Sequence, residues 1–335
     1  MKFLIIGLGS MGKRRIRNLQ KLGYKNIIGF DPRKDRCDET KKIYGIPTFT
    51  IFKDSLNENP DAFVISTPPD LHTFYAKLAI KKNIHFFMEV NMSSKNISSL
   101  ISLMKNKKII GVPSCTMRYH PVVLQLKKLL EKNSIGKILQ IHHHWGHYLP
   151  NWHPWEDYRD FYVSKKETGA AKEIIPFEIV WLVYLFSDID WVWGNSKKIS
   201  NLKTDIDDVY QILMQFKNKI LCSMTVDVIS IPSFRDTKIV GSNGSIVCNF
   251  NDGTIQISKG KTWKSIKTDT SKVAKGYVGN TPPETLYENE IQAFIAAIKH
   301  KKKYPHSLHD ELKILKVLDS IEKSSKTGKK ITITK

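Results

Sequence analysis

The sequence lacks several features that would assign it to a special class of protein. Its cysteines, Cys37, Cys115, Cys222 and Cys248, are far apart and show no CxxC spacing, so we expect reduced thiols, no disulfide framework and no metal site. No stretch approaches the roughly 18 apolar residues that span a bilayer. The apolar run Phe3–Gly7 is too short for a signal peptide. We therefore expect a soluble, cytoplasmic protein with no membrane partner.

Acidic residues are also scarce relative to basic ones, with 32 Asp and Glu against 53 Lys and Arg and a net charge of +21. The lysines are spread along the chain, and only short clusters such as Lys301–Lys303 and Lys329–Lys330 occur. No arginine-rich helical stripe and no stacking-aromatic RNA-binding motif accompanies them. We expect solvated lysine faces and no nucleic-acid partner. The positive field would favour an anionic ligand such as a phosphorylated cofactor or a nucleotide sugar.

A chain of 335 residues exceeds the roughly 250 residues at which single cores stop growing, so two domains are expected. In residues 1–120, short apolar segments alternate with segments of helical periodicity. The predicted strands are 3–6, 26–30, 62–66, 84–88 and 108–112, and the predicted helices are 11–22, 70–82 (N-capped by Asp70) and 94–105. Continuous apolar strands between helices indicate a parallel sheet covered on both faces. We predict an α/β Rossmann domain, a doubly wound parallel sheet, over residues 1–120.

Residues 121–335 are predicted to form an α+β domain for substrate binding and oligomerisation, with a large, mainly antiparallel sheet. Its predicted helices are 121–132, 170–186, 285–301 and 308–324, and its predicted strands are 137–145, 190–193, 209–216, 221–229, 236–240 and 245–250. Turn residues at 241–244 and 251–253 separate the last strands. The two C-terminal helices can pack back on the first domain.

A glycine loop, Gly7–Gly12, follows the first predicted strand and opens the first predicted helix, as a dinucleotide site requires. Gly7 permits the tight turn, Gly9 lets backbone amides approach the pyrophosphate, and Gly12 lets helix and strand pack closely. Ser10 and Met11 complete the loop at the helix N-terminus, where free amides attract phosphate.

Asp31 ends the second predicted strand, near the expected spacing for an acceptor of the ribose hydroxyls. Its carboxylate favours NAD, because it accepts hydrogen bonds from the diol and repels a 2′-phosphate. Arg33 and Lys34 follow closely and can accommodate that phosphate, so NADP stays an alternative.

Four motifs beyond the glycine loop carry a resemblance to a known family. They are Ser66–His72 (STPPDLH), Phe87–Glu89 (FME), Met117–Pro121 (MRYHP) and Ser134–Ile138 (SIGKI). With the loop, they make the whole chain resemble the glucose–fructose oxidoreductase, inositol dehydrogenase and rhizopine-catabolism (Gfo/Idh/MocA) family. The resemblance implies a Rossmann domain, an open-faced sheet domain through which dimers or tetramers form, and NAD(P)-linked chemistry at a sugar or cyclitol carbon.

The resemblance also implies a cofactor site. At two further positions the sequence differs from the family's catalytic pattern. Thr67, Pro68 and His72 would lie beside the ribose and nicotinamide, and Glu89 would belong to the same site. The family's Glu-Lys-Pro reads Glu89-Val90-Asn91 here, so the lysine that contacts substrate is absent. The family's Asp and His, four residues apart on a helix, are replaced here by Glu173 and Phe177. Valine and phenylalanine cannot exchange protons, so the family's catalytic assignment does not transfer.

Other groups must then move the hydroxyl proton that accompanies hydride transfer. Lys172 and Glu173 are the leading candidates, because they fall where the family's helix faces the nicotinamide. Pro176 suggests that residues 172–175 form a distorted turn. His153 is the alternative acid or base.

The segment 148–159 is rich in aromatic and polar residues, and it resembles one in family members of surface-sugar biosynthesis. We expect substrate contacts from Trp155 and Tyr158 in this segment and from Arg118 in the MRYHP motif.

The histidine run His142–His147 invites a metal interpretation, but no Asp, Glu or Cys completes a set at ligand spacing. We expect histidines of the sheet surface or of an interface. The leading functional hypothesis is an NAD(P)-dependent oxidoreductase of a sugar or nucleotide sugar. A non-catalytic cofactor- or sugar-binding member and an NAD-assisted lyase or hydrolase are the alternatives.

Overall fold

The computed structural model of the protein describes residues 1–270 and 282–334. Two compact units are present: Met1–Cys115 with Tyr287–Lys313, and Thr116–Leu286 with Ile314–Lys335. The sequence suggested a boundary after residue 120. The structure places Tyr287–Lys313, a segment near the C-terminus, in the first unit. Among the described residues, no helix combines the length and apolarity that crossing a bilayer requires.

The first unit contains the predicted doubly wound parallel sheet. Six strands are ordered β3-β2-β1-β4-β5-β6. They are β1 (Phe3–Ile6), β2 (Ile27–Phe30), β3 (Thr48–Phe49), β4 (Ala62–Ile65), β5 (His85–Met88) and β6 (Gly111–Pro113). The helices are α1 (Ser10–Lys21), α2 (Lys34–Tyr44), α3 (Phe52–Asn57), α4 (His72–Lys82) and α5 (Ser94–Met104). Every residue of β1 and β4 is fully buried, which explains their unbroken apolar sequences.

One local prediction for this unit is wrong, and three short or polar elements were not predicted. Asp70 does not cap α4, because a 3₁₀ turn at Pro69–Leu71 precedes the helix and Leu71 is the N-cap. Proline at the first position of that turn fixes its φ and shifts the start of the α-helix. The elements α2, α3 and β3 were not predicted, since β3 has only two residues and α2 is largely exposed and polar.

The second unit is built on the predicted large, mainly antiparallel sheet. Nine strands are ordered β14-β13-β12-β11-β7-β10-β9-β8-β15. They are β7 (Ile138–Tyr148), β8 (Ile189–Lys197), β9 (Val209–Phe216), β10 (Leu221–Asp227), β11 (Ile229–Gly241), β12 (Gly244–Asn249), β13 (Thr254–Lys259), β14 (Thr262–Lys267) and β15 (Ile331–Thr332). Within the described strands, β7 and β10 run parallel and every other neighbouring pair of this sheet runs antiparallel.

The remaining helices are α6 (Pro121–Glu131), α7 (Ala170–Phe186), α8 (Glu284–Ile298) and α9 (Leu308–Thr327). The distorted turn predicted before Pro176 is wrong, because α7 is continuous from its first residue and the Glu173 N–H donates to the Gly169 carbonyl at 3.0 Å. A proline in a helix removes one backbone hydrogen bond. Burial of most of α7 against its own unit holds the helix despite that loss.

Candidate active site

The glycine loop has the backbone geometry that a close dinucleotide approach needs. Gly7 has φ +92°, and a Cβ there would lie 2.6 Å from the Ser66 carbonyl oxygen. A Cβ at Gly12 would lie 1.8 Å from the Gly7 carbonyl oxygen. At Gly9, the N-cap of α1, the nearest atom to such a Cβ is Arg36 Nη1 at 3.5 Å. Helix α1 has no side-chain cap and no acid in its first turn, so its N-terminal dipole is left for an anion.

Asp31 is held against the glycine loop. Its Oδ2 accepts a hydrogen bond from the Leu8 N–H at 2.8 Å, its Oδ1 accepts one from the Arg33 N–H at 2.9 Å, and the residue is 3% exposed. A carboxylate has about four acceptor sites, so lone pairs remain for a ribose diol.

The guanidinium groups of the two arginines that follow Asp31 have different partners. The Arg33 guanidinium pairs with Asp35 at 2.6 Å, while Arg36 Nη1 lies 3.7 Å from Asp31 Oδ2. Arg36 therefore belongs to the loop region, and sequence reasoning missed it because α2 itself was not predicted.

The loop after β4 lies next to the glycine loop, because β1 and β4 pair along their length. Thr67 is half-buried and Pro68 is exposed, while His72 is 1% exposed and its Nε2 lies 2.8 Å from the Thr67 carbonyl oxygen. Burial lowers the pKa of His72 to about 4, so the ring is neutral and its Nε2–H donates to Thr67. His72 thus supports this loop from within the unit, and its place beside the cofactor stays a prediction.

Glu89 is one member of a buried ion-pair network. Arg15 donates from Nε and Nη2 to the two Glu89 oxygens at 2.6 and 2.8 Å, and its Nη2 also lies 2.7 Å from Glu290 Oε2. Both oxygens of Glu89 are therefore engaged by a fully buried guanidinium. The carboxylate fixes the carboxyl end of β5, and Asn91 contributes by donating to the Glu89 carbonyl at 3.0 Å.

In the second unit, the two leading acid/base candidates are neighbours in the first turn of α7 but have different partners. Lys172 Nζ lies 2.7 Å from Glu322 Oε1 on α9, and the lysine side chain is 16% exposed. Glu173 instead accepts a hydrogen bond from the Tyr162 hydroxyl at 3.3 Å. Lys172 thus joins two helices, whereas Glu173 and Tyr162 form a carboxylate–phenol pair. Sequence reasoning missed Tyr162, since nothing in the spacing of the two residues links them.

A second buried network lies beside Phe177, whose ring centre is 5.8 Å from Arg235 Cζ. The fully buried Glu178 contacts His143 Nε2 at 3.0 Å and Arg235 Nη2 at 3.1 Å. Burial acts to raise the pKa of Glu178, but the charge of Arg235 and the hydrogen bonds from His143 and Trp181 outweigh it and lower the pKa to about 2. The carboxylate is therefore ionised and binds α7 to the sheet.

The expectation of surface or interface histidines is wrong for two members of the run. His143 and His147 are 3% and 6% exposed, because alternate residues of β7 point into the interior. Burial lowers the pKa of His147 to about 4. Across residues 1–270 and 282–334, no three His, Cys, Asp or Glu side chains form a group that could hold a metal ion.

The segment after β7 holds His153 in an aromatic sandwich. Its ring stacks on Trp155 (4.9 Å, 19°) and on Phe161 (5.0 Å, 12°), and its Nδ1 lies 2.7 Å from Glu156 Oε1. Trp155 remains 53% exposed. The Trp155 indole is therefore partly exposed and is supported by the His153 ring.

The two other predicted substrate contacts each have an internal partner. The Tyr158 hydroxyl accepts a hydrogen bond from the Lys203 N–H at 3.1 Å. The Arg118 guanidinium lies over the Tyr184 ring at 4.8 Å. These contacts fix both side chains within the second unit.

Both halves of the chain match models of one protein family. Residues 1–112 match the model described as oxidoreductase family, NAD-binding Rossmann fold. Residues 123–247 match the model described as the GFO/IDH/MocA C-terminal domain. The chain belongs to the Gfo/Idh/MocA family. The resemblance seen in the motifs is confirmed, and the chain is a member of an oxidoreductase family whose Rossmann domain binds NAD.

Relatives and solved structures agree with this assignment. Glucose-6-phosphate 3-dehydrogenase of Bacillus subtilis is 26% identical over 243 residues, which cover 69% of each chain. Levoglucosan dehydrogenase in complex with NADH has the same fold, with a TM-score of 0.85 and 17% identity over 100% of this chain and 99% of the other. An Agrobacterium radiobacter oxidoreductase in complex with NAD+, L-tartaric acid and magnesium superposes with a TM-score of 0.86 and 14% identity over 99% and 98%.

Proposed function

We propose that this protein is an NAD-dependent oxidoreductase that acts on a hydroxyl or keto carbon of a sugar or nucleotide sugar. The observation that carries the cofactor preference is Asp31, which is fixed by the Leu8 and Arg33 amides where a ribose diol is expected. The substrate class is supported by the relatives, which include a glucose-6-phosphate and a levoglucosan dehydrogenase. The exposed Trp155 ring supports it too, since aromatic faces suit the apolar faces of sugars.

The dinucleotide supplies the hydride acceptor or donor, and this chain's residues must bind and orient the sugar and move its hydroxyl proton. We propose Glu173 as the acid/base group and Tyr162 as the residue that orients it, because the Tyr162 hydroxyl donates a hydrogen bond to the Glu173 carboxylate at 3.3 Å. The sequence favours Lys172 and Glu173 equally as the acid/base group. The ion pair of Lys172 with Glu322 favours a structural role for the lysine.

The aromatic segment completes the proposed substrate site. Trp155 would stack on the sugar, with His153 held beneath it by Glu156. His153 stays the alternative acid or base, and Tyr158 and Arg118 stay proposed substrate contacts. The resemblance of this segment to those of surface-sugar enzymes makes surface-glycan biosynthesis the proposed setting. The four cysteines are buried and none of them forms a disulfide within the described residues, which agrees with work in the cytoplasm.

The function is tested by screening sugar phosphates, anhydrosugars, cyclitols and nucleotide sugars with NAD+ while NADH absorbance is recorded. We expect NADH to form with one of these classes. Tight NADH binding without turnover of any class would instead identify a non-catalytic member, a reading that Val90 and Phe177 favour. Release of an unsaturated or hydrolysed product without net NADH would identify a lyase or hydrolase.

We also propose that the second unit's sheet mediates assembly into a dimer or tetramer. Leu213 on β9 and Leu221 on β10 are 49% and 46% exposed and lie on the same face, because Leu213 is opposite Ser223, two residues from Leu221. We expect the double change Leu213→Glu and Leu221→Glu to lower the mass seen by analytical ultracentrifugation. Leu103→Glu on α5, at an equally exposed leucine, should not. An unchanged mass in the double variant would disprove assembly through this face.

A further inference from the structure

A groove of about 550 Å³ lies in the first unit, beside the edge strand β6. Its floor is apolar, and its wall is the segment between α8 and α9. The floor residues include Met104, Ile109, Ile110, Val112 and Ala297, and the wall includes His300–Lys303. Because Ile109 and Ile110 come directly before β6 and Gly111 begins it, the groove lies at the amino-terminal end of this strand of the parallel sheet. The glycine loop follows the carboxyl end of β1, so this groove is separate from the cofactor site.

Two groups of lysines lie at the groove. Lys301, Lys302 and Lys303 line it and are exposed. Three more exposed lysines lie in the loop Lys105–Lys108, which connects the lining residues Met104 and Ile109. Within residues 1–270 and 282–334, no carboxylate lies in ion-pair distance of Lys301–Lys303, Lys105 or Lys108. Lysines near the ends of α5 and α8 complement the helix dipoles, but that explains neither the apolar floor nor the concave shape.

The strand beside the groove also offers main-chain groups. The Phe86 N–H donates to the Ile110 carbonyl and the Ser114 N–H donates to the Met88 carbonyl, both towards β5. Since successive residues of a strand direct their polar groups to opposite sides, Gly111 directs its N–H and carbonyl away from β5. Gly111 lines the groove. An extended peptide can pair with such an edge, whereas a lipid surface or a nucleic acid gains nothing from it.

We propose that this groove binds an extended acidic segment of a partner protein, with apolar side chains on the floor and carboxylates against the lysines. Three features select this partner together: an apolar concave floor, lysines at the groove without acidic partners, and an outward-facing edge residue. A strongly hydrated polyanion would use the charges but not the floor. The inference is independent of the proposed dehydrogenase chemistry, because no residue of the groove belongs to the cofactor loop.

The test is fluorescence anisotropy of the full-length protein with a fluorescein-labelled peptide of alternating glutamate and leucine. The groove variant carries Lys301→Glu, Lys302→Glu and Lys303→Glu. The matched control carries Lys259→Glu, Lys261→Glu and Lys264→Glu, which make the same change of charge at exposed lysines of the β13–β14 hairpin. NADH binding is measured in both variants, and we expect it unchanged, which shows that the first unit is folded.

We expect the groove variant to weaken peptide binding at least about tenfold and the hairpin variant to change it less than about twofold. The unchanged protein should bind a peptide with serine in place of leucine as weakly as the groove variant binds the leucine peptide. Equal losses in both variants would show unspecific attraction and overturn the proposal. Equal affinity for the serine and leucine peptides would also overturn it. The same holds if the groove lysines bind phosphatidylglycerol vesicles or polyuridine while the protein does not bind the peptide.

Discussion

A methyl group added at Gly12 is expected to weaken NADH binding by more than about 100-fold, the equivalent of roughly 3 kcal/mol. The Cβ of Gly12→Ala would lie 1.8 Å from the Gly7 carbonyl oxygen. That oxygen belongs to the backbone of the same loop and cannot rotate away, so either the loop or the start of α1 must move. We expect the free energy of unfolding to fall as well, by at least about 2 kcal/mol, as overpacked sites do.

Gly9→Ala is the matched control, because it adds the same methyl group three residues away. At Gly9 the nearest atom is 3.5 Å distant and belongs to the flexible Arg36 side chain, and φ −73° suits alanine. We expect its free energy of unfolding to stay near that of the unchanged protein while NADH binding weakens, since the methyl group occupies the pyrophosphate approach. The measurements are NADH fluorescence titration and urea unfolding. Normal NADH binding by Gly12→Ala would show that the cofactor does not use this loop.

The glycine loop and Asp31 were predictable because short segments of backbone determine them. A strand, a turn that only glycine tolerates and a helix N-terminus follow each other within 12 residues, and each has a distinct pattern in the sequence. The alternation of apolar strands with helices predicted the parallel sheet in the same way. Elements with little periodicity, such as the two-residue β3, gave no such signal.

Side-chain partners were not predictable, because they depend on packing between distant segments. Arg15 meets Glu89 and Glu290, which are 74 and 275 residues away. Lys172 faces Glu322 on another helix. A single sequence records none of these distances, so two neighbouring candidates on α7 looked equivalent. The replacement of the family's histidine by Phe177 could be recognised from the motif. The ion-pair network of Glu178, His143 and Arg235 beside it could not.

The change Glu173→Gln is expected to lower kcat by about 10²- to 10⁴-fold with the sugar that the NADH screen identifies, which is the usual contribution of a general acid or base. Glutamine keeps the length of the side chain and can still accept a hydrogen bond from the Tyr162 hydroxyl, but it cannot take up a proton. NADH affinity should therefore stay the same. Tyr162→Phe should lower kcat less, because it removes the orienting contact at 3.3 Å and leaves the carboxylate in place.

Lys172→Met separates this assignment from its competitor. Removing the ammonium breaks the contact with Glu322, so we expect a loss of up to about 1 kcal/mol in the free energy of unfolding and a kcat within about threefold of the original. Glu322→Gln should reproduce both effects, since it breaks the same pair from α9. If Lys172→Met abolishes turnover while Glu322→Gln and Glu173→Gln spare it, Lys172 is the acid/base group. If all three spare it and His153→Gln does not, the reacting group lies in the aromatic segment, where His153 is stacked between Trp155 and Phe161.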